Sequence, residues 1–382
     1  MKRQGSNINT IKAENNSLIL NLIRRAPISR AEICKLTGLS KSSVTTITKQ
    51  LIEEGQLIEI GTENTSFGRH PILLDIVSDY RFAMGINLTR TEVSVCIVNL
   101  KLEAIDSESR AVTDFSTAEA LFDWCYEKGC SLLLKNGIDI GLCIGIGVAA
   151  PGPLDYKKGV ILNPPNFPLF NSFDLKGYFR GKTDMPVFLN NAPVLMAMYE
   201  QLKRSPEIKN YIFISVDSGI GSAIVQNGSI YTGSAGFSGE IGHTTVNIDG
   251  PLCSCGNTGC LEEYVTQKAI ERNFNISSFN SMIDAAYNGE KNAELMVRKT
   301  AKYFAGGIIN AVNLLDLEAV IIYGELNYRH RLLFSALQEE LDIRCIISKA
   351  HRVMVMPSQI VEKDTAVYTT AKIIHKYFRQ ML

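Results

Sequence analysis

The stretch from Gly239 to Glu263 reads Gly-Glu-Ile-Gly-His-Thr-Thr-Val-Asn-Ile-Asp-Gly-Pro-Leu-Cys-Ser-Cys-Gly-Asn-Thr-Gly-Cys-Leu-Glu-Glu. It holds one histidine and three of the chain's nine cysteines, and the four candidate metal ligands are His243, Cys253, Cys255 and Cys260. Three thiolates and one imidazole form a closed tetrahedral set of the kind that structural zinc takes. The spacing therefore predicts a structural zinc loop over residues 243–260.

The alternative for this stretch is a group of buried free thiols, since cysteine is a common core residue. Gly256 and Gly259 lie between the candidate ligands. They favour the metal, because a chain that wraps round one ion needs backbone angles that other residues resist.

The same residues carry a family resemblance. Gly-Glu-Ile-Gly-His, followed by Cys-x-Cys-Gly-x-x-Gly-Cys-Leu-Glu, resembles the signature of the ROK family, whose members are sugar kinases and sugar-responsive transcriptional repressors. The signature is specific because it joins a metal set to flanking acids at fixed offsets. With the motifs below, the resemblance extends over nearly the whole chain. It points to the family's repressors, such as those that respond to xylose, N-acetylglucosamine or glucose.

Length and composition set the broad class. A chain of 382 residues is too long for one ordinary core and suggests two or three units. It contains no apolar run of membrane-spanning length, and residues 1–16 lack the core of a signal peptide. An odd number of cysteines fits a reducing compartment better than a disulfide framework. These features predict a soluble, cytoplasmic protein without a membrane partner.

Charge is unevenly distributed. The first fifty residues carry nine lysines and arginines against two glutamates, a charge of +7, and the remainder carries −7 because the whole chain is neutral. A basic head on an acidic body is typical of a nucleic-acid-binding domain joined to a sensor. The alternative is a solvated basic face with no partner.

The head, residues 1–76, has the pattern of a winged helix-turn-helix. An apolar stripe at Leu18, Leu20, Leu22 and Ile23 predicts a helix over Ser17–Arg25. Ser29 and Glu32 form a capping box for a second helix that ends near Gly38. Ser40 caps a third helix through about Glu54. Two strands, Leu57–Ile60 and Ile72–Ile76, form the wing.

The third helix is the predicted recognition helix. Small hydroxyls and lysines, Thr48 among them, are expected on its outer face, where they can hydrogen-bond base edges and phosphates in a major groove. Arg69, in the wing loop, matches a Gly-Arg-x-Pro segment of ROK repressors and could enter a minor groove, or it could be an ordinary surface arginine. The predicted DNA-binding residues are Arg30, Ser40, Lys41, Ser42, Ser43, Thr45, Thr46, Lys49 and Arg69.

A short linker, 77–81, leads to the body, residues 82–382. Its predicted strands and helices are Ala83–Leu88, Glu92–Val98, Glu103–Val112, the helix Thr117–Leu134, Leu142–Ala149, Tyr211–Val216, Ser222–Val225, the helix Ala293–Leu315 and Ala319–Ile322. The order of strands and helices recurs and predicts a two-lobed α/β body. The resemblance implies the actin-like, ribonuclease H-like ATPase fold. Gly306-Gly307, inside the second helix, is expected in core or subunit packing.

Family kinases bind nucleotide through motifs that this chain has lost. The first phosphate hairpin, Asp-x-Gly-Gly-Thr in kinases, reads Asn87-Leu88-Thr89-Arg90-Thr91, and the nucleotide loop reads Tyr323-Gly324-Glu325. The second hairpin survives in part as Ser218-Gly219-Ile220-Gly221. Asn191 replaces the aspartate that serves as general base, and an amide cannot take a proton at neutral pH. The chain is therefore predicted not to be an enzyme.

The sugar-binding positions of the family are better kept. By that resemblance, the predicted sugar-binding residues are Asn166, Asn190, Asn191, Glu240, His243 and Glu262. Carboxylates and amides suit a polyol because they form paired hydrogen bonds in a closed site. The alternative is that the pocket is lost and these residues only support the loop.

These features predict a repressor of sugar-metabolism genes that binds double-stranded DNA and a sugar or sugar-phosphate effector. Symmetric dimers match symmetric operators, so an inverted repeat and a homodimer or dimer of dimers are expected. Three alternatives stay open: a sugar kinase with a DNA-binding head, a repressor controlled by a protein partner, and an activator.

Overall fold

The computed structural model describes residues 8–62, 71–204, 208–234, 236–361 and 366–379. The chain divides into two compact units, with boundaries between residues 191 and 192 and between residues 361 and 362. The first unit holds the head, one α/β lobe and the carboxyl-terminal helix, and the second unit is the continuous segment 192–361. Among the described helices, none has the length and apolar character needed to span a bilayer.

The head is a winged helix-turn-helix. Its elements are α1 Ile8–Ile23, β1 Ile28–Ser29, α2 Arg30–Thr37, α3 Lys41–Glu53, β2 Leu57–Thr62 and β3 Ile72–Ile76. Strand β3 pairs antiparallel with both β1 and β2. The capping predictions are confirmed: Ser29 accepts from the amide of Glu32 at 3.3 Å, Ser40 accepts from that of Ser43 at 3.1 Å, and Gly38 ends α2 with φ 73°.

Helix α1 differs from its prediction in extent and in its buried face. It begins nine residues before the expected start, and its buried side chains are Ile19, Leu20 and Ile23, whereas Leu18 is 43% exposed. Residues 19, 20 and 23 share one helical face, and residue 18 lies outside it. The predicted stripe was therefore wrong at Leu18.

The first-unit lobe is built on a five-stranded sheet of order β11-β7-β4-β5-β6. Its strands are β4 Phe82–Leu88, β5 Glu92–Asn99, β6 Ala104–Ala111, β7 Cys143–Ala149 and β11 Val187–Asn190. The lobe also contains α4 Ala118–Lys135, β8 Leu154–Asp155, β9 Val160–Ile161, β10 Phe173–Asp174, α5 Leu175–Arg180 and, from the chain end, α12 Ala371–Phe378. Strand β4 is buried along its whole length, as expected of a central strand covered on both faces.

The second unit has a five-stranded sheet of order β14-β13-β12-β15-β16. Its strands are β12 Tyr211–Val216, β13 Ile220–Gln226, β14 Ser229–Tyr231, β15 Ala319–Gly324 and β16 Met354–Pro357. Its helices are α6 Ala192–Lys203, α7 Glu262–Val265, α8 Gln267–Phe274, α9 Phe279–Tyr287, α10 Lys291–Leu315 and α11 Arg331–Arg344.

The two sheets have the same topology. In each, three consecutive strands form an antiparallel meander, and the first of them pairs in parallel with a later strand that pairs in parallel with the last. The predicted recurrence of strands and helices is confirmed. The ends of the predicted body strands differ from the observed ends by at most two residues.

The head contacts the lobe of its own unit through the carboxyl-terminal helix. Ser17 Oγ donates to the Phe378 carbonyl at 2.7 Å, Asn21 Nδ2 donates to the same oxygen at 2.9 Å, and the Tyr377 hydroxyl donates to Gln56 Oε1 at 3.2 Å. The segment 77–81 contains a 3-10 turn, Ser78–Tyr80, whose Ser78 carbonyl accepts from the Leu100 amide at 3.0 Å. The segment predicted as a linker is therefore hydrogen-bonded to the lobe.

Candidate functional site

The candidate DNA-binding surface is the outer face of α3. Ser40, Lys41, Ser42, Thr45, Thr46 and Lys49 are exposed on it, and Ser43 is half-buried. The opposite face packs into the head through buried Val44, Ile47 and Leu51. Hydroxyls and ammonium groups are thus presented to solvent on a helix held rigidly from behind, as base and phosphate recognition requires.

Two residues of this surface differ from expectation. Thr48 is fully buried; its hydroxyl donates to the Val44 carbonyl at 2.8 Å and accepts from Arg30 Nε at 2.9 Å. The prediction of an exposed Thr48 was wrong, because its hydroxyl is satisfied inside the head. Arg30 also pairs with Glu59 of the wing at 2.8 Å. Arg30 therefore connects α2 to both α3 and the wing. Its predicted contact with DNA stays a prediction.

Arg69 lies outside the described residues, together with Ser66, Gly68 and His70 of the same loop. The two strands that flank the loop are present as predicted, with Leu57 paired to Ile76. Contact between Arg69 and DNA stays a prediction.

The candidate metal centre brings the four predicted ligands together. The donor atoms of His243, Cys253, Cys255 and Cys260 all lie within 4.8 Å of one another. Cys255 Sγ is 3.7 Å from Cys260 Sγ, and Cys253 Sγ is 3.7 Å from His243 Nδ1. A disulfide would need about 2.05 Å between sulfurs, so these are free thiols arranged round a common point. The set could hold a metal ion.

Backbone contacts close the loop on itself. Thr245 bridges to Cys260, and the Val246 amide donates to the Gly259 carbonyl at 2.9 Å. Gly259 has φ +68°, and a Cβ there would lie 1.7 Å from the Asn247 carbonyl oxygen. Only glycine fits this position, which agrees with the expectation that glycines let the loop wrap.

The pKa values of two thiols in the cluster are shifted in opposite directions. Burial raises the pKa of the Cys260 thiol to about 12, whereas the backbone amide of Asn257 lowers the pKa of Cys255. A thiolate ligand must lose its proton, so a metal that binds here displaces a proton from Cys260 at neutral pH.

Three of the predicted sugar-binding residues lie in the first unit. Asn166 lies exposed on a loop, with φ 57°, and the loop is anchored by buried Phe167 and Phe170, whose ring centroids are 4.9 Å apart. A cavity of about 360 Å³ opens beside this loop. Asn190 ends β11 and is 6% exposed, and Asn191 follows it directly.

Two buried polar atoms at this strand end are unpartnered. Asn190 Nδ2 and Asn191 Oδ1 have no hydrogen-bond partner in the part of the chain that the structure describes. Orphaned buried polar atoms are rare, because each forfeits the hydrogen bonds that water would supply. Together they offer one donor and one acceptor, which is the complement of a hydroxyl.

The other three predicted sugar-binding residues lie in the second unit. Glu240, which is exposed, precedes a 3-10 turn, Ile241–His243, that carries the histidine into the metal cluster. Since His243 presents Nδ1 to Cys253, its Nε2 is chemically available for a second partner. Glu262 begins α7, two residues after the ligand Cys260, so the loop fixes His243 and Glu262 within one short segment.

Glu262 has a partner that was not expected. Its Oε2 accepts from the Ile220 amide at 2.9 Å, and a Cβ on Gly219 would lie 2.9 Å from the same oxygen. Gly219 and Ile220 belong to the second phosphate hairpin. A carboxylate of the protein therefore already accepts this amide.

Asp217 was missed by the sequence reasoning. It follows β12 directly, and Glu325 follows β15, the parallel neighbour in which Gly324 pairs with Val216. Burial raises the pKa of Asp217, and burial followed by the charge of Asp217 raises the pKa of Glu325. Two carboxyl groups thus lie at the same edge of the sheet. The available signal was an acid at the end of a predicted strand before a glycine-containing turn.

The first phosphate hairpin is also internally satisfied. The Thr89 hydroxyl accepts from the Thr91 amide at 3.3 Å and from the Glu92 amide at 2.9 Å. Asn87, in the position of the metal-binding aspartate, is buried and accepts from the Tyr368 hydroxyl at 2.9 Å. The amides of Thr91 and Glu92 and the side-chain oxygen of Asn87 are thus already hydrogen-bonded within the protein.

Comparison with known proteins identifies the family of the body and the class of the head. The ROK family profile matches residues 83–375, and a winged helix-turn-helix DNA-binding profile matches residues 14–58. The xylose repressor of Bacillus subtilis (strain 168) is 27% identical over 376 residues, covering 96% of both chains. The N-acetylglucosamine repressor of Escherichia coli O157:H7 is 26% identical over 361 residues, covering 90% of this chain and 88% of the relative.

Solved structures give the same fold. A ROK family transcriptional regulator, a homolog of the E. coli MLC protein, aligns with a TM-score of 0.76 at 23% identity over 97% of this chain and 98% of its own. A ROK hexokinase from Thermus thermophilus aligns with a TM-score of 0.63 at 24% identity over 76% of this chain and 97% of its own. The body therefore has the actin-like sugar kinase fold. The xylose and N-acetylglucosamine repressors named above are regulators rather than kinases. This supports a regulator that is not an enzyme. The chain belongs to the ROK family and carries an amino-terminal winged helix-turn-helix.

Proposed function

We propose that this protein is a transcriptional repressor of sugar-metabolism genes whose ROK body binds a sugar or sugar phosphate without phosphorylating it. One contrast carries the proposal. The phosphate hairpins have amides occupied by Thr89 and Glu262, whereas Asn190 and Asn191 keep unpartnered buried polar atoms. Phosphoryl transfer needs free amides and a proton acceptor, while binding needs only hydrogen-bonding groups.

The outer face of α3 would read the operator. Lys41 and Lys49 would contact phosphates, and the hydroxyls of Ser42, Thr45 and Thr46 would reach base edges. Both xylose and N-acetylglucosamine repressors are relatives over nearly their full length, which supports a sugar-metabolism target. The protein would act in the cytoplasm, as a homodimer or dimer of dimers on an inverted repeat.

The metal would be structural zinc. A tetrahedral ion with zinc–sulfur bonds of about 2.3 Å places its ligand sulfurs about 3.8 Å apart. The observed separation of 3.7 Å between Cys255 Sγ and Cys260 Sγ fits that edge. Zinc with four protein ligands has no open position, so its contribution would be to hold His243 and Glu262 in place.

A chain of contacts connects the predicted sugar-binding residues of the first unit to the head of the same unit. Asn190 pairs with Ala149 between β11 and β7, and β7 packs against α12, whose Phe378 carbonyl accepts from Ser17 and Asn21. A sugar would change operator affinity only if it binds two arrangements of these contacts with different affinity. We expect the sugar to weaken DNA binding.

The test is a footprint on DNA upstream of the protein's own and adjacent genes, with and without a panel of mono- and disaccharides. The proposal predicts protection of an inverted repeat that disappears with one sugar, and no ATP turnover with any. Lys41→Ala should weaken operator binding about tenfold and reduce its salt dependence, since one phosphate contact is lost. Lys35→Ala, an exposed lysine on α2, is the matched control. Sugar-dependent ADP formation, or indifference to every promoter fragment, would refute the proposal.

A further inference from the structure

A basic groove on the second unit is lined by none of the predicted DNA-binding, sugar-binding or metal-ligand residues. It has a volume of about 370 Å³ and is lined by Val246, Lys299, Lys302, Tyr303, Gly306 and Arg344. Three cations from two helices, α10 and α11, therefore surround one concave space. Cavities of this size are in the range that holds small metabolites.

The positive charge of the groove is not neutralised locally. Arg344 pairs with Glu340 at 3.2 Å, and Lys299 Nζ lies 5.7 Å from the Phe274 ring centroid. Within the described part of the chain, neither Lys299 nor Lys302 has an acidic group within ion-pair distance. An excess of two positive charges at the mouth of a groove attracts an anion.

The floor of the groove contains a glycine that packing does not require. Gly306 lies in the middle of α10, where glycine is among the least favourable residues. A Cβ at Gly307 would meet Leu261 Cδ2 at 2.7 Å, whereas a Cβ at Gly306 would meet only Val246, at 3.9 Å. Gly307 is therefore needed for core packing, as the sequence suggested for the pair. Gly306 instead leaves space open to the groove.

One wall of the groove is an aromatic ring in a fixed position. Tyr303 stacks on Tyr264 with ring centroids 4.2 Å apart, and the Tyr264 hydroxyl accepts from Asn247 Nδ2 at 3.0 Å. Val246 forms another part of the wall, and its amide is bonded to Gly259 of the metal loop. The groove thus combines a packed apolar wall with exposed cationic side chains.

We propose that this groove binds a small organic phosphate. Lys299 and Lys302 would neutralise the phosphate, Arg344 would hydrogen-bond its oxygens, and the organic part would lie over Gly306 against Tyr303 and Val246. This site is separate from the predicted sugar residues, and it does not depend on the proposed repressor function.

The probe is phenyl phosphate, a phosphate monoester that has a ring but no sugar hydroxyls, with phenol and inorganic phosphate for comparison. Calorimetry on the full chain should show binding of phenyl phosphate that is stronger than that of either comparison ligand. The paired change Lys299→Ala with Lys302→Ala should weaken it about tenfold or more, because charge-assisted hydrogen bonds are lost. Lys291→Ala, an exposed lysine at the start of the same helix, should leave it unchanged.

Gly306→Leu provides an independent test because it fills the groove from below. It should abolish phenyl phosphate binding while far-UV circular dichroism and the thermal midpoint stay close to those of the wild type. If this variant does not fold, Gly306→Ala and the lysine pair decide the matter. Absence of binding to the wild type, equal binding by all variants, or a changed oligomeric state in Gly306→Leu with binding intact would overturn the proposal. The last result would identify the groove as a subunit contact.

Discussion

The two units share one sheet topology but differ in the polar groups at their strand ends. In the first unit, the end of β11 carries Asn190 and Asn191 with unpartnered buried atoms. In the second unit, the corresponding edge carries Asp217 and Glu325, and Glu262 accepts a hydrogen bond from the Ile220 amide. A common fold therefore carries an open set of hydrogen-bonding groups in one unit and a closed, acidic set in the other. Function depends on these groups, since the fold alone serves both kinases and regulators.

The strongest test of this contrast removes a metal ligand from the second unit. Cys260→Ser should abolish zinc binding and the sugar response, and should destabilise the protein by on the order of 3 kcal/mol. This is a fraction of the roughly 10–16 kcal/mol found for isolated zinc peptides, because the unit has its own apolar core. Zinc content and thermal unfolding measure the effect. Cys130→Ser, which changes a half-buried thiol of the first unit, is the control. An unchanged sugar response in Cys260→Ser would show that the metal loop does not organise sugar binding.

The next test acts on the first unit alone. Asn191→Ala should raise the sugar concentration needed to release DNA about tenfold to a hundredfold, since one hydrogen bond to the ligand is worth about 1–3 kcal/mol in a buried site. Zinc content should not change. Asn292→Ala, an exposed amide on α10, serves as the control. Zinc loss in Asn191→Ala, or an unaltered sugar response, would contradict the division of roles.

Metal loading should depend on pH in a defined direction. Because the pKa of Cys260 is raised to about 12 by burial, its thiol is protonated in the metal-free protein throughout the neutral range. Metal binding must displace that proton, so affinity should fall as pH falls and rise as pH rises. Zinc added to metal-free protein in weakly buffered solution should release at least one proton per ion, the one that this thiol holds. Loading without acidification would show that the cysteines are not the ligands.

The smallest expected effect is that restoring the kinase aspartate does not restore kinase activity. Asn191→Asp returns the missing carboxylate to the first unit. In the second unit, however, the Ile220 amide still donates to Glu262, and the strand edge still carries Asp217 and Glu325. ATP turnover with sugar should therefore stay at background in a coupled ADP assay. Measurable turnover would mean that the loss of the base alone explains the absence of kinase activity.

Local patterns in the sequence identified the parts whose chemistry is contained in a short segment. The metal loop, the caps at Ser29 and Ser40, and the body strands all follow from neighbouring residues, and each is present in the structure. Helical spacing already places Thr48 on the same buried face of α3 as Val44 and Ile47, and the expectation of an exposed hydroxyl followed residue type instead. The partner of that hydroxyl, Arg30, eighteen residues earlier, could not be predicted from local sequence.

The sequence by itself determined the candidate metal ligands, the winged helix-turn-helix head and the repeated α/β pattern, since each depends on residue type and spacing. The tertiary structure alone decided which polar groups are already satisfied. Glu262 reaches Ile220 across 42 positions, Tyr368 reaches Asn87 across 281, and α12 returns to contact the head. Hydrogen bonds between residues so far apart depend on how the chain packs, and periodicity does not encode their partners.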